Sequence, residues 1–244
     1  MDQFQCQVLS PQGEWDCAMV GGDSLLVRCA ALLLQQGHAI CCIVSRDQVV
    51  AQWEAQQGIA CGGQVTLLEG RGFDCLFSIM NGLILPPHIL DLARRCAINF
   101  HDAPLPRYAG MYATTWALKY REATHGVTWH QMAERIDAGD ILRQRLVDVA
   151  PDDTTVTLGA TCYEAAFEAF TELLSDLASG QVAPRAQDPR QRTYFGRYAR
   201  PAVAGVFSPA WGAQDIGAHV RALSFGPYAN PLGLAKLHVG ASSS

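Results

Sequence analysis

The sequence predicts an α/β fold with a mostly parallel sheet. Short apolar runs recur at DCAMV, AICCIV, DCLFSIM and AINF without polar alternation, as strands covered on both faces require. Helical segments that close on glycine separate the early runs, the strand-helix-strand order of a right-handed crossover. With 244 residues, 49% hydrophobic and 17% charged, the chain is long and apolar enough for one main core and has neither a disordered nor a coiled-coil composition.

Taken in order, DCAMV is the first strand, and Gly21-Gly22-Asp23-Ser24 supplies turn and N-cap chemistry for the helix LLVRCAALLLQQ, which Gly37 ends. AICCIV returns as a buried strand. VVAQWEAQQG reads as a helix ending at Gly58, VTLL as a short strand, DCLFSIM as a strong strand, ILDLARR as a helix after Pro86-Pro87, and AINF as a strand running to His101. HDAPLPRYAGMY is a loop by composition, TTWALKYRE a helix, and GVTWHQM a strand. The polar loop AERIDAGD leads into the strand ILRQRLVDVA, and Thr154 to about Ser179 is the best helical segment of the chain, closed by Gly180. QVAPRAQDPRQRTYFGRYARP reads as a linker or an extended wrapping segment. QDIGAHVRALS is a short helix, and KLHV begins a strand near the end, as in a piece of something longer. The expected division is a sheet-based domain over residues 1–182, a linker over 183–204 and a small, partial carboxyl-terminal subdomain over 205–244.

Composition also excludes functions. Eighteen Lys and Arg against 23 Asp and Glu leave a net charge of −5 with scattered basic residues, so nucleic acid is a disfavoured partner. The amino terminus lacks a basic stretch followed by an apolar one, and no segment approaches about 18 consecutive apolar residues, so a cytoplasmic protein with no membrane partner is expected. The nine cysteines form no CxxC pair and read as thiols rather than zinc ligands or disulfides. Neither G-x-G-x-x-G nor G-x-x-x-x-G-K-[ST] occurs, which disfavours a dinucleotide or ATP site, and no G-x-S-x-G elbow is present.

Open α/β sheets bind ligands beyond the carboxyl ends of their strands. There the sequence places Asn99-Phe100-His101, whose first and third side chains face one side of an extended chain. A carboxamide donor thus lies beside a group that shuttles protons near neutral pH. Asp137 follows in the loop RIDAGD; alone it is an ordinary turn aspartate before a glycine.

Together these segments have a counterpart. INFHDAPLPRYAG, then GVTWHQM, then RIDAGDIL resembles the formyltransferases that use 10-formyltetrahydrofolate, over roughly residues 16–182. The family pattern, Asn-x-His, Leu-Pro-[Lys/Arg] with a following Gly, Gly-Val-Thr and Asp-x-Gly, is present in order. The resemblance implies a Rossmann-like sheet of the formyltransferase type, catalytic roles for Asn99, His101 and Asp137, and 10-formyltetrahydrofolate as formyl donor without a metal. It prefers Asp137 to Asp140, which matches a position not always acidic in the family. It also implies folate contacts from Asn81-Gly82-Leu83-Ile84-Leu85 and the loop from Met132 through Ile136 to Asp137, chiefly Gly82, Leu83, Leu85, Met132 and Ile136. Arg107 falls in the family's substrate-side loop.

Formyl transfer explains these residue types. Attack by an amine on the formyl carbon builds negative charge on the formyl oxygen while the attacking nitrogen must lose a proton. An Asn99 N–H can donate to that oxygen, a contribution of about 3–4 kcal/mol in well-studied oxyanion sites. His101 can donate to the same oxygen or move the proton, with Asp137 orienting the imidazole and favouring its protonated form. The wording of these segments and of RALSFGPYANPLGLAK looks most like formylation domains at the start of nonribosomal peptide synthetases. That likeness implies as acceptor the α-amine of an aminoacyl thioester on a carrier-protein phosphopantetheine arm, with adjacent synthetase domains as partners and the polar ASSS ending opening into a linker. The alternatives are a free-standing enzyme acting on an amino-sugar nucleotide or aminoacyl-tRNA, and a catalytically silent docking domain.

Overall fold

The computed structural model describes residues 13–201, 205–207 and 210–237. Cys6, the ASSS ending and the last two residues of KLHV lie outside the described residues. The apolar runs assemble into one sheet of seven strands. β1 (Asp16–Gly21), β2 (Ala39–Val44), β3 (Cys61–Gly62), β4 (Phe73–Ile79) and β5 (Ala93–His101) are parallel, β7 (Thr124–Gln131) pairs antiparallel with β5 and β8 (Ile141–Asp148) antiparallel with β7, in the order β3-β2-β1-β4-β5-β7-β8. Crossover helices α1 (Asp23–Gln35) and α2 (Gln48–Gln57) follow the first two strands, α2 ending at Gly58 in the left-handed region as its sequence predicts.

Two expectations are corrected. VTLL forms a 3-10 turn over Val65–Leu68, and the edge strand is Cys61–Gly62 instead; Leu68 is fully buried against the sheet face, and one tight turn achieves that burial. ILDLARR is not a helix throughout. Only Pro87–Leu90 (α3) is helical, and β5 already begins at Ala93, where pairing with β4 outweighs the local preference of Leu-Ala-Arg-Arg for a helix.

One sheet face is covered by α1 and by α5 (Thr155–Ser179), the other by the 3-10 turn and α3. Helix α5 starts in a capping box between Thr154 and Thr157 and ends at left-handed Gly180. Its apolar stripe seats Phe170 between Phe77, at 5.3 Å and edge-on, and Trp129, at 4.8 Å, whose Nε1–H donates to the Ala166 carbonyl at 3.0 Å. The β1–α1 turn, where related folds cradle phosphate, is filled from within. The Asp47 carboxylate that caps α2 also accepts from the Asp23 N–H at 3.2 Å, so an anion already occupies that helix terminus, in keeping with the missing glycine-rich motif.

Beyond α5 the chain wraps instead of leaving. Arg185 pairs with Ile141 through both backbone hydrogen bonds, and β9 (Tyr194–Phe195) runs alongside β6 (Ala109–Gly110). Helix α6 (Ala213–Ala222) packs on α4 (Ala113–Lys119), and β10 (Val206–Phe207) pairs with β11 (Lys236–Leu237). Among the described residues no helix is long and apolar enough to cross a membrane. Phe170→Ala, which opens a cavity between Phe77 and Trp129, is expected to cost about 3–5 kcal/mol in urea denaturation.

Candidate active site

Sheet register builds the site. Ser78 on β4 pairs with Asn99 on β5, and Asn99 pairs with His130 on β7, so three side chains stand in a row at the carboxyl end of the parallel strands. Asn99 and His101 both line a cavity of about 580 Å³, within the usual range for small-molecule sites. The Asn99 Oδ1 accepts from the Ser78 hydroxyl at 2.7 Å, while its Nδ2 donates to the Phe100 carbonyl at 2.9 Å and lies 3.1 Å from His130 Nε2. His101 is buried, with Nε2 2.8 Å from the Tyr108 carbonyl oxygen, and its Nδ1 faces Asp137 Oδ2 at 3.8 Å and Asp102 Oδ1 at 3.9 Å.

Asp137 closes the constellation. It stands in the left-handed region, φ +50°, which aspartate tolerates better than most residues. Its Oδ2 accepts from the Gly110 N–H at 2.8 Å, and its Oδ1 lies 3.5 Å from His130 Nε2. Gly110 has no alternative: at φ +97° a Cβ would fall 2.2 Å from the Phe195 carbonyl oxygen of β9. Burial disfavours the charged carboxylate, but His101, His130 and the Gly110 N–H outweigh burial and hold the group ionised well below the usual carboxylate range. The wrapping segment fixes the loop from behind. Arg192 donates to the Ile136 and Asp137 carbonyls at 2.7 and 2.9 Å, and Gln187 Nε2 donates to those of Asp137 and Gly139.

The structure places Gly82, Leu83, Leu85, Met132 and Ile136 on the wall of the same cavity as Asn99, His101 and Asp137. Asn81 shapes the first of these segments by accepting from the Leu83 N–H at 2.9 Å and donating to Ser78 Oγ at 3.2 Å. Leu85 is buried, but Leu83 is 49% exposed and Ile84 75%, so among the described residues the lip leaves apolar surface open, the surface a flat apolar ring would cover. Arg107 does not join them. It is not among the lining residues; its guanidinium pairs with Glu122, whose Oε1 also accepts from the Tyr108 hydroxyl at 2.6 Å. Residues the sequence reading passed over also line the cavity: Ser78, His130, Tyr112, Thr155, Tyr194 and Arg197. His130 was discoverable in principle, since GVTWHQM laid antiparallel against INFH puts it opposite Asn99.

Fold and site together define an α/β protein with a cavity of small-molecule size at the carboxyl ends of its parallel strands. Residues 69–174 match the family model described as Formyl transferase. Methionyl-tRNA formyltransferase of Anaeromyxobacter dehalogenans is 32% identical over 196 residues, covering 72% of this chain and 63% of its own length, so the chain spans less than two thirds of that relative. The 4-N formyltransferase of Francisella tularensis superposes with a TM-score of 0.76 at 17% identity, over 88% of this chain and 90% of its own. An N-formyltransferase of Helicobacter canadensis, solved with folinic acid and dTDP-3-aminofucose, superposes with a TM-score of 0.72 at 16% identity, over 85% of this chain and 80% of its own. These structural likenesses establish the fold.

Because the Asp137 carboxyl is depressed below its unfolded value, its ionised form stabilises the fold fully above about pH 5, and that stability is lost as pH falls below about 4 toward the folded value. Asp137→Asn keeps the backbone preference, so it is expected to cost about 1–3 kcal/mol at pH 7 in denaturant titrations. The gap between the two proteins should close on acidification below about pH 4.

Proposed function

We propose that this chain transfers a formyl group from 10-formyltetrahydrofolate to a primary amine. The convergence of Asn99, His101 and Asp137 beneath an apolar lip carries the reading. Gly82, Leu83, Leu85, Met132 and Ile136 would hold the donor's flat ring by apolar contact and backbone hydrogen bonds. When bound, the donor supplies a formyl carbon open to an amine nucleophile. Asn99 Nδ2–H supports charge growing on the formyl oxygen. His101 presents Nδ1 to the cavity, because its Nε2 is engaged by the Tyr108 carbonyl. The proton that the attacking amine loses is received at Nδ1, stabilised there by the Asp137 carboxylate 3.8 Å away, and passes to the folate nitrogen as its bond to the formyl carbon breaks.

For the acceptor, the relatives favour an amino-sugar nucleotide or an aminoacyl-tRNA over the carrier-bound aminoacyl thioester that the wording of the sequence led us to expect, since they are a tRNA formyltransferase and N-formyltransferases, one solved with an amino-sugar nucleotide. The test incubates the chain with 10-formyltetrahydrofolate and each of three acceptors: a dTDP-amino sugar, methionyl-tRNA and a carrier-bound aminoacyl arm. Mass spectrometry should find one formyl group gained by the sugar nucleotide or the tRNA. Formylation of the carrier arm alone would reverse the acceptor assignment and leave the chemistry standing; no formylation of any acceptor with active donor would defeat the proposal. Asn99→Ala is expected to lower kcat by about 100- to 1,000-fold. A saturating folate, at about 100 times its Kd, should stabilise the chain by about 2.7 kcal/mol in thermal melts.

A further inference from the structure

His130 occupies a place that neither the motif reading nor the roles above explain. Its ring is almost fully buried, and a single nitrogen, Nε2, meets both Asn99 at 3.1 Å and Asp137 at 3.5 Å. The hydrogen-bonding chemistry around it leaves little freedom. The Gln131 carbonyl, 2.7 Å from His130 Nδ1, can only accept, so Nδ1 bears a hydrogen. In the neutral ring Nε2 is then bare and accepts from Asn99 Nδ2 at 3.1 Å. The orientation of Asn99 is fixed in the same way, because the Phe100 carbonyl can only accept from Nδ2, while the Ser78 hydroxyl, which accepts from Asn81, donates to Oδ1. Both N–H bonds of the carboxamide are therefore engaged, one by Phe100 and one by His130.

His101 is set the opposite way. Its Nε2 faces the Tyr108 carbonyl and carries the hydrogen, leaving Nδ1 bare toward Asp137. Two imidazoles of opposite tautomer thus address the two oxygens of one carboxylate, His130 Nε2 toward Oδ1 and His101 Nδ1 toward Oδ2.

We infer that His130 is a positioning residue for Asn99: neutral, it holds the carboxamide by accepting its second N–H; protonated at Nε2, it turns that hydrogen bond to Asp137 and releases the Asn99 N–H into the cavity. The charged groups around it are His101 and Asp102 from β5 and its end, Asp137 from the following loop, and Arg192 from the wrapping segment, whose hydrogen bonds go to backbone carbonyls. A proton entering this group is countered by Asp137 whichever ring holds it. The inference rests on the proposed reaction for its kinetic consequence and on geometry alone for its structural one.

The test separates the two. Nitrogen NMR of the full chain labelled at histidine, without ligand and at a pH where the rings are neutral, should show an Nδ1–H ring signal that His130→Gln removes and an Nε2–H ring signal that His101→Gln removes. An Nε2–H tautomer at His130 would overturn the inference, whatever the chain formylates. In kinetics, His130→Gln, which accepts from Asn99 but takes no proton, should lower kcat by about ten- to a hundredfold, the order expected of a misplaced catalytic group, with KM within about twofold. The same change in an Asn99→Ala background should add nothing further; full additivity would contradict the coupling.

Discussion

The Asp137 carboxylate is the interaction on which the site depends. It is a buried charge, and such a charge persists only when its surroundings supply what water would have given. Here they come from four separate stretches. Gly110 gives a backbone N–H, His101 and His130 each set a ring nitrogen near one oxygen, where a proton on either ring faces the charge, and the wrapping segment holds the peptide that bears the aspartate through Arg192 and Gln187. The cost of leaving this charge unpaired forces β5, β7, the β6 loop and residues 183–204 into one arrangement. The Pro- and Arg-rich segment beyond α5 is consequently part of the wall of the site.

The sheet supplies the other constraint. Parallel strands β1 to β5 end their carboxyl termini on one side, and the antiparallel addition of β7 brings residue 130 back to the same level as residue 99. That register sets His130 beside Asn99, and the loop that follows β7 puts the Asp137 carboxylate opposite the imidazole of His101, 36 residues away along the chain.

Around this polar centre the cavity is apolar at its lip and polar at its floor. Leu83 and Ile84 remain exposed because the Asn81 turn holds their loop outward, and Ser78, Asn99 and His130 meet at the strand ends below. A ligand with a flat apolar part and a reactive polar end matches that gradient.

Much of this was legible in the chain itself. Unbroken apolar runs announced β1, β2, β4 and β5, glycines at 58 and 180 marked helix ends, and the i, i+2 spacing of Asn99 and His101 put both on one side of a strand, because these are local properties of backbone geometry and burial. The 3-10 turn at VTLL and the early start of β5 were not, since in both places burial or strand pairing from distant residues outweighed short-range preference. Arg107, which the resemblance places in the substrate-side loop, pairs with Glu122, 15 residues on, and lies outside the cavity lining. His130 shows no local signal at all; only antiparallel register sets it beside Asn99. Sequence by itself determined which residue types the chemistry has available and which elements carry them. Tertiary structure alone decided which of them share a carboxylate, because that depends on charges and hydrogen-bond donors brought together from segments that have no contact along the chain.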